Sequence, residues 1–151
     1  METNSTKNTA ALIHLSTLTQ YLIPFGNYIF PIIIWSATKD KSTFIDQQGK
    51  RAINFQLSLF LYSLVLCLIA FPVLFVTVFK NVSMSSIFHG EDWILEDFSL
   101  ANVTGIVAVA IIAAGFFFLL KVVEFFLVIY ASVQSSNGED FKYPLTIPFL
   151  K

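Results

Sequence analysis

The sequence predicts an all-α, polytopic integral membrane protein, and three observations carry that class. Apolar residues make up 56% of the 151 and charged residues 13%, about half the charged share of soluble domains. Mean hydropathy is +0.72. The stretches 10–37, 52–79 and 103–120 run for 28, 28 and 18 residues without an Asp, Glu, Lys or Arg, and a helix of about 18–20 residues crosses about 30 Å of hydrocarbon. This balance argues against a soluble globular enzyme. The net charge of -1 and the pI near 6.0 argue against a nucleic-acid partner, which would call for a clustered basic surface. Cys67, the single cysteine, lies inside the second apolar stretch and says nothing about redox compartment.

Residues 1–9 are rich in Asn, Ser and Thr and read as a polar, frayed tail. The apolar stretch after them is too long for a signal-peptide core and has no evident cleavage site, so the N-terminus is expected to be kept. The first apolar segment, 10–37, is interrupted by Pro24, Gly26 and Pro31, and proline inside a helix removes a hydrogen bond and clashes with the preceding turn. Two readings stay open: one kinked span, or two halves of 14 residues, each about 21 Å long, forming a re-entrant hairpin. The kinked span is favoured. The expected architecture is therefore three membrane-spanning segments, or four helices if the break at Pro24 is complete.

Residues 38–51 hold Lys39, Lys41, Lys50 and Arg51 against Asp40 and Asp46. By the positive-inside rule this loop is cytoplasmic. Ser42 or Thr43 is suited to cap an interfacial helix carrying Asp46 in its early turn, where a carboxylate complements the helix dipole. That helix is expected to run into the second span, 52–79. Within the span Asn54, Ser58 and Tyr62 recur every four residues and share one helix face, and the stripe extends back through Lys50, beside Gln47 and Arg51. The block from Asp46 to Gln56 thus leads a polar line from the interface into the membrane. The stripe is either interhelical hydrogen-bonding glue or the lining of a groove for solute or substrate. Pro72 predicts a kink.

Residues 80–102 form an expected external loop, acidic through Glu91, Asp92, Glu96 and Asp97, in which Trp93, Ile94 and Phe98 suit a short interfacial helix. Asn81-Val-Ser83 and Asn102-Val-Thr104 match the glycosylation pattern, which matters only in a glycosylating host. The third span, about 103–133, opens with Gly105, Ala108, Ala110, Ala113, Ala114 and Gly115, a face suited to close helix packing. Lys121 and Glu124 follow, three apart and of opposite sign. They are either a structural pair near the cytoplasmic boundary or a relay. Asn137-Gly138 suits a left-handed C-cap, and residues 138–151, with Pro144 and Pro148, read as an extended cytoplasmic tail. The helical membrane domain is thus 10–137, in an inner (plasma) membrane.

No catalytic set emerges. His14 and His89 lack partners at metal-ligand spacing, and phosphate-loop, nucleophile-elbow and zincin motifs do not occur. No cofactor, metal or enzymatic activity is expected.

Three blocks carry a family likeness: His14-Leu15-Ser16 with Pro31-Ile32-Ile33-Ile34-Trp35; Asp40-Lys41-Ser42 with Phe44 through Gln56; and Asn137-Gly138-Glu139 with Tyr143-Pro144-Leu145-Thr146-Ile147. In order and spacing they resemble bacterial small membrane proteins related to the Tic-twenty component of the chloroplast inner-envelope import machinery. The resemblance implies a bundle of three to four helices in the inner membrane and a non-enzymatic component of a translocation or envelope complex. Its expected partners are the bilayer and either other subunits or a client polypeptide. The alternative is a small homo-oligomeric transporter or ion pathway lined by Asn54, Ser58 and Tyr62, with Lys121 and Glu124.

Overall fold

A computed structural model describes residues 2–81 and 100–151, with side chains described over 2–76, at 105 and over 107–151. The expected interfacial helix at Trp93–Phe98, His89 and the four acidic residues of 80–102 lie outside the described residues, as do the side chains of Asn81 and Asn102.

Every regular element among the described residues is helical. Helix α1 spans Asn4–Ser16 and starts within the stretch expected to fray, because Thr3 caps it: its side chain accepts from the Thr6 N–H at 3.2 Å. A 3-10 turn, Thr17–Tyr21, leads to helix α2, Gly26–Thr38. After a second 3-10 turn, Lys39–Lys41, helix α3 runs over Thr43–Asn81. Ser42 caps α3, its Oγ accepting from the Phe44 N–H at 3.1 Å. The interfacial helix and the second span are thus one continuous helix, and Pro72 lies inside it without ending it. Helix α4 spans Leu100–Asn137. It ends in a Schellman motif at Gly138, φ 82°, with the Gly138 N–H on the Ser135 carbonyl and the Glu139 N–H on the Gln134 carbonyl, both 3.0 Å.

The first apolar segment departs from the favoured expectation. It is not one kinked span but two 13-residue helices, each about 20 Å long, packed against one another. Pro24 and the left-handed Phe25, φ 62°, reverse the chain between them. Among the described residues two helices, rather than the three spans expected, have the length and apolar character to cross a bilayer: Thr43–Val76 and Val107–Asn137.

The chain divides into two compact units. The second, Tyr62–Leu119, includes the α3 segment 62–81 and the α4 segment 100–119, each of 20 residues and about 30 Å. Its apolar side chains face outward, among them Leu68, Ile69, Phe71, Ile111, Ile112 and Phe118. The small-residue face expected to pack is open: a Cβ at Gly105 or Gly115 would meet no atom within 4 Å.

The first unit, Met1–Leu61 with Leu120–Lys151, holds α1, α2, the N-terminal part of α3, the C-terminal part of α4 and the tail. One cluster packs Ile13, Ile45 and Ala52 with Ile34 and Trp35; another packs Phe55, Val128, Ala131 and Tyr143. Polarity inside the unit is inverted. His14, Thr17, Gln48, Gln56, Ser58, Glu124 and Ser135 are at most 1% exposed, whereas Leu22, Phe25, Ile33, Phe126 and Leu145 are 58–85% exposed. Water would favour the reverse; hydrocarbon favours this, since polar groups then have partners only inside the protein.

Candidate functional site

The buried polar residues of the first unit form two side-chain networks and a docked tail. Gln48, Arg51, Ala52 and Phe55 lie three to four residues apart and share one face of α3. Toward that face α1 brings His14. Its Nε2 lies 3.1 Å from Gln48 Oε1, and its Nδ1 lies 2.8 Å from the Tyr143 hydroxyl. Gln48 Nε2 donates to Asp140 Oδ1 at 3.0 Å, which fixes Gln48 Oε1 as an acceptor. His14 therefore carries its proton on Nε2 and accepts the Tyr143 proton on Nδ1. Arg51 grips both oxygens of Asp140 and donates to the Phe141 carbonyl at 3.0 Å. The guanidinium holds the Asp140 carboxyl below the usual carboxylate range.

The second network centres on Glu124. Its Oε1 accepts from Gln20 Nε2 at 2.7 Å and Gln56 Nε2 at 2.9 Å, and its Oε2 pairs with Lys121 Nζ at 2.9 Å. Lys121 also donates to Gln20 Oε1 at 2.9 Å, and Asn27 Nδ2 to Gln56 Oε1 at 2.8 Å. The three-residue spacing of Lys121 and Glu124 thus makes a closed pair. Their partners come from the chain reversal after α1 and from α3, and Asn27 of α2 joins the network through Gln56. Lys121 keeps a third of its side chain exposed, and Glu124 keeps 1%.

The stripe on α3 is occupied by the chain's own C-terminal segment. Asn54 pairs with both backbone groups of Leu150, accepting its N–H at 2.8 Å and donating to its carbonyl at 3.0 Å. Ser58 Oγ donates to the Asn54 carbonyl at 2.7 Å and accepts the Ile147 N–H at 2.8 Å. Tyr143 stacks on Phe55 with ring centroids 4.0 Å apart. The polar groups read as glue or groove lining therefore hold an extended backbone. Tyr62 belongs to the second unit.

At the outer end, Asp46 pairs with Lys50 at 2.7 Å and accepts from Trp35 Nε1 at 3.0 Å. Lys39 Nζ lies 5.3 Å from the centre of the Trp35 ring. Trp35 presses so closely on Gly49 that a Cβ there would collide with its Cδ1. Among the described residues no three His, Cys, Asp or Glu side chains converge as metal ligands.

The structure draws in residues that sequence reading set aside. His14 enters the sequence reading only as a histidine without metal-ligand partners and, like Gln48 and Tyr143, as part of the family blocks, and Gln20, Asn27 and Asp140 carry no role there. Their neighbours are 29 to 129 positions away, so no local period could reveal them.

Residues 5–150 match the magnetosome magnetite crystal formation protein family, and the chain belongs to that family. No curated protein and no solved structure matches it. The match replaces the Tic-twenty likeness and with it the translocation role. Of the residues in the blocks that carried it, His14 bonds Gln48 and Tyr143, and Asn54 bonds Leu150 of the tail.

Proposed function

We propose that this chain is a non-enzymatic, multi-pass membrane component that acts in magnetosome magnetite crystal formation. The observation that carries the reading is the family match over residues 5–150. The inverted polarity of the first unit supports residence in a bilayer, which is the protein's first partner. In this reading residues 38–51, with four basic residues, and the C-terminal tail are cytoplasmic.

The buried networks support a scaffold rather than a conduit. Asn54 and Ser58 are engaged by the tail, and Glu124 by Lys121, Gln20 and Gln56. Deleting the coding sequence from a magnetosome-forming host should change crystal size or shape in electron micrographs, and the intact sequence should restore it. Crystals indistinguishable from the parent's, with the protein confirmed absent, would refute the reading.

A further inference from the structure

The strongest unassigned feature is the exposed turn between α1 and α2. Tyr21, Leu22, Ile23 and Phe25 there are 47–85% exposed, and residues 10–37 contain no charged side chain. Both ends of this hairpin lie at the same end of the first unit. Glu2 accepts from the Ser42 hydroxyl at 3.1 Å, and the Lys7 side chain lies over Gly138 at the end of α4. The chain that enters at the N-terminus therefore returns to the basic segment beside it.

Three measures of how far the turn reaches agree. Helix α1 has 13 residues, or about 20 Å. Just beyond it, Gln20 bonds Glu124, which stands 13 residues before the end of α4 at Asn137. Glu124 also bonds Gln56, which stands 13 residues beyond the start of α3 at Thr43. A reach of about 20 Å from those helix ends, part of it taken up by the charged residues Asp46, Lys50 and Arg51, is shorter than a hydrocarbon layer about 30 Å thick, so the turn stops short of the far side.

The turn is also built for an apolar surrounding. The N–H groups of Leu22 and Ile23 both bond the Thr19 carbonyl at 3.0 and 2.8 Å, and the Gly26 N–H bonds the Ile23 carbonyl at 3.0 Å. Pro24 has no N–H to satisfy. Polar side chains on the arms turn inward: Thr17 Oγ1 donates to the His14 carbonyl, Thr19 Oγ1 to the Ser16 carbonyl, and Asn27 pairs with Gln56. Irregular backbone survives at membrane depth only when its polar groups have protein or water partners.

The geometry points to a re-entrant hairpin, α1–α2, that enters and leaves through the membrane face carrying residues 38–51, with Tyr21–Phe25 in contact with lipid acyl chains. The N-terminus then shares its side with the basic segment and the C-terminal tail. The inference concerns how the chain sits in lipid and is independent of any role in crystal formation.

The test uses the full chain, with Cys67→Ser as background, in phosphatidylcholine–phosphatidylglycerol vesicles. Glu2→Cys and Lys41→Cys should react with a membrane-impermeant maleimide from the same side. A fluorophore on Leu22→Cys, or on Ile23→Cys if that variant folds better, should be quenched roughly twofold by lipids brominated along their acyl chains, as expected of a tip inside the hydrocarbon layer. Labelling of the two ends from opposite sides would overturn the hairpin. Fluorescence insensitive to brominated lipid but falling as protein density rises would place a second copy, not lipid, on the turn.

Discussion

Removing Glu124 should be the most damaging single change to the first unit. In Glu124→Leu the ammonium of Lys121 loses its carboxylate, and the amide N–H groups of Gln20 and Gln56 lose their acceptor. Each orphaned buried donor costs about 1–3 kcal/mol, and breaking a buried pair from one side typically costs about 3–5 kcal/mol. Lys121 is one-third exposed and recovers some solvation, so its share is discounted, and the expected loss is about 3–4 kcal/mol. Lys121→Leu leaves the carboxylate with its two amide donors alone and should cost about 2–3 kcal/mol. The double variant removes both charges, and its loss should fall short of the sum of the singles by about 1–2 kcal/mol. Unfolding midpoints in mixed detergent micelles, titrated with a denaturing detergent and followed by circular dichroism, supply the four corners of the cycle. Single losses under about 1 kcal/mol, the range of a surface pair, or strict additivity would refute the reasoning.

Two further outcomes follow from the same contacts. Gly49→Ala forces a methyl into Trp35 and should lower stability by about 1–3 kcal/mol, with a change in tryptophan emission as the ring shifts; an unaltered spectrum and midpoint would count against the close approach. Tyr143→Phe keeps the stack on Phe55 and removes the hydroxyl that bonds His14 at 2.8 Å, a loss of about 1–3 kcal/mol that thermal unfolding in detergent would reveal, and a neutral result would show that the bond carries no weight.

The elements that rest on local chemistry were legible in the sequence. Ser42 caps α3 and Gly138 closes α4 because each rule involves a handful of adjacent residues. The pairing of Lys121 with Glu124 likewise follows from a three-residue spacing. The first segment was harder, because hydropathy rewards a 28-residue apolar run whether the chain crosses or turns back. What decides it is the reversal at Phe25 together with the inward polar side chains of Gln20 and Asn27, whose partners lie on α3 and α4. The period of four in Asn54 and Ser58 marks a polar face on α3, but its partner is backbone of the tail, which has no side-chain pattern to betray it. The Gly105–Gly115 face shows the converse: small residues permit close approach without supplying a neighbour.

The tail is an integral part of the polar interior of the first unit, and amide hydrogen exchange of the full chain in lipid nanodiscs tests this most directly. The Ile147 and Leu150 amides, which donate to Ser58 and Asn54, should exchange at least roughly tenfold more slowly than in an unstructured peptide, since 1.4 kcal/mol of docking free energy already gives that factor. Asn54→Ala should accelerate both. Exchange at the unstructured rate in the parent would contradict the account and return the stripe to the surface as an open polar face.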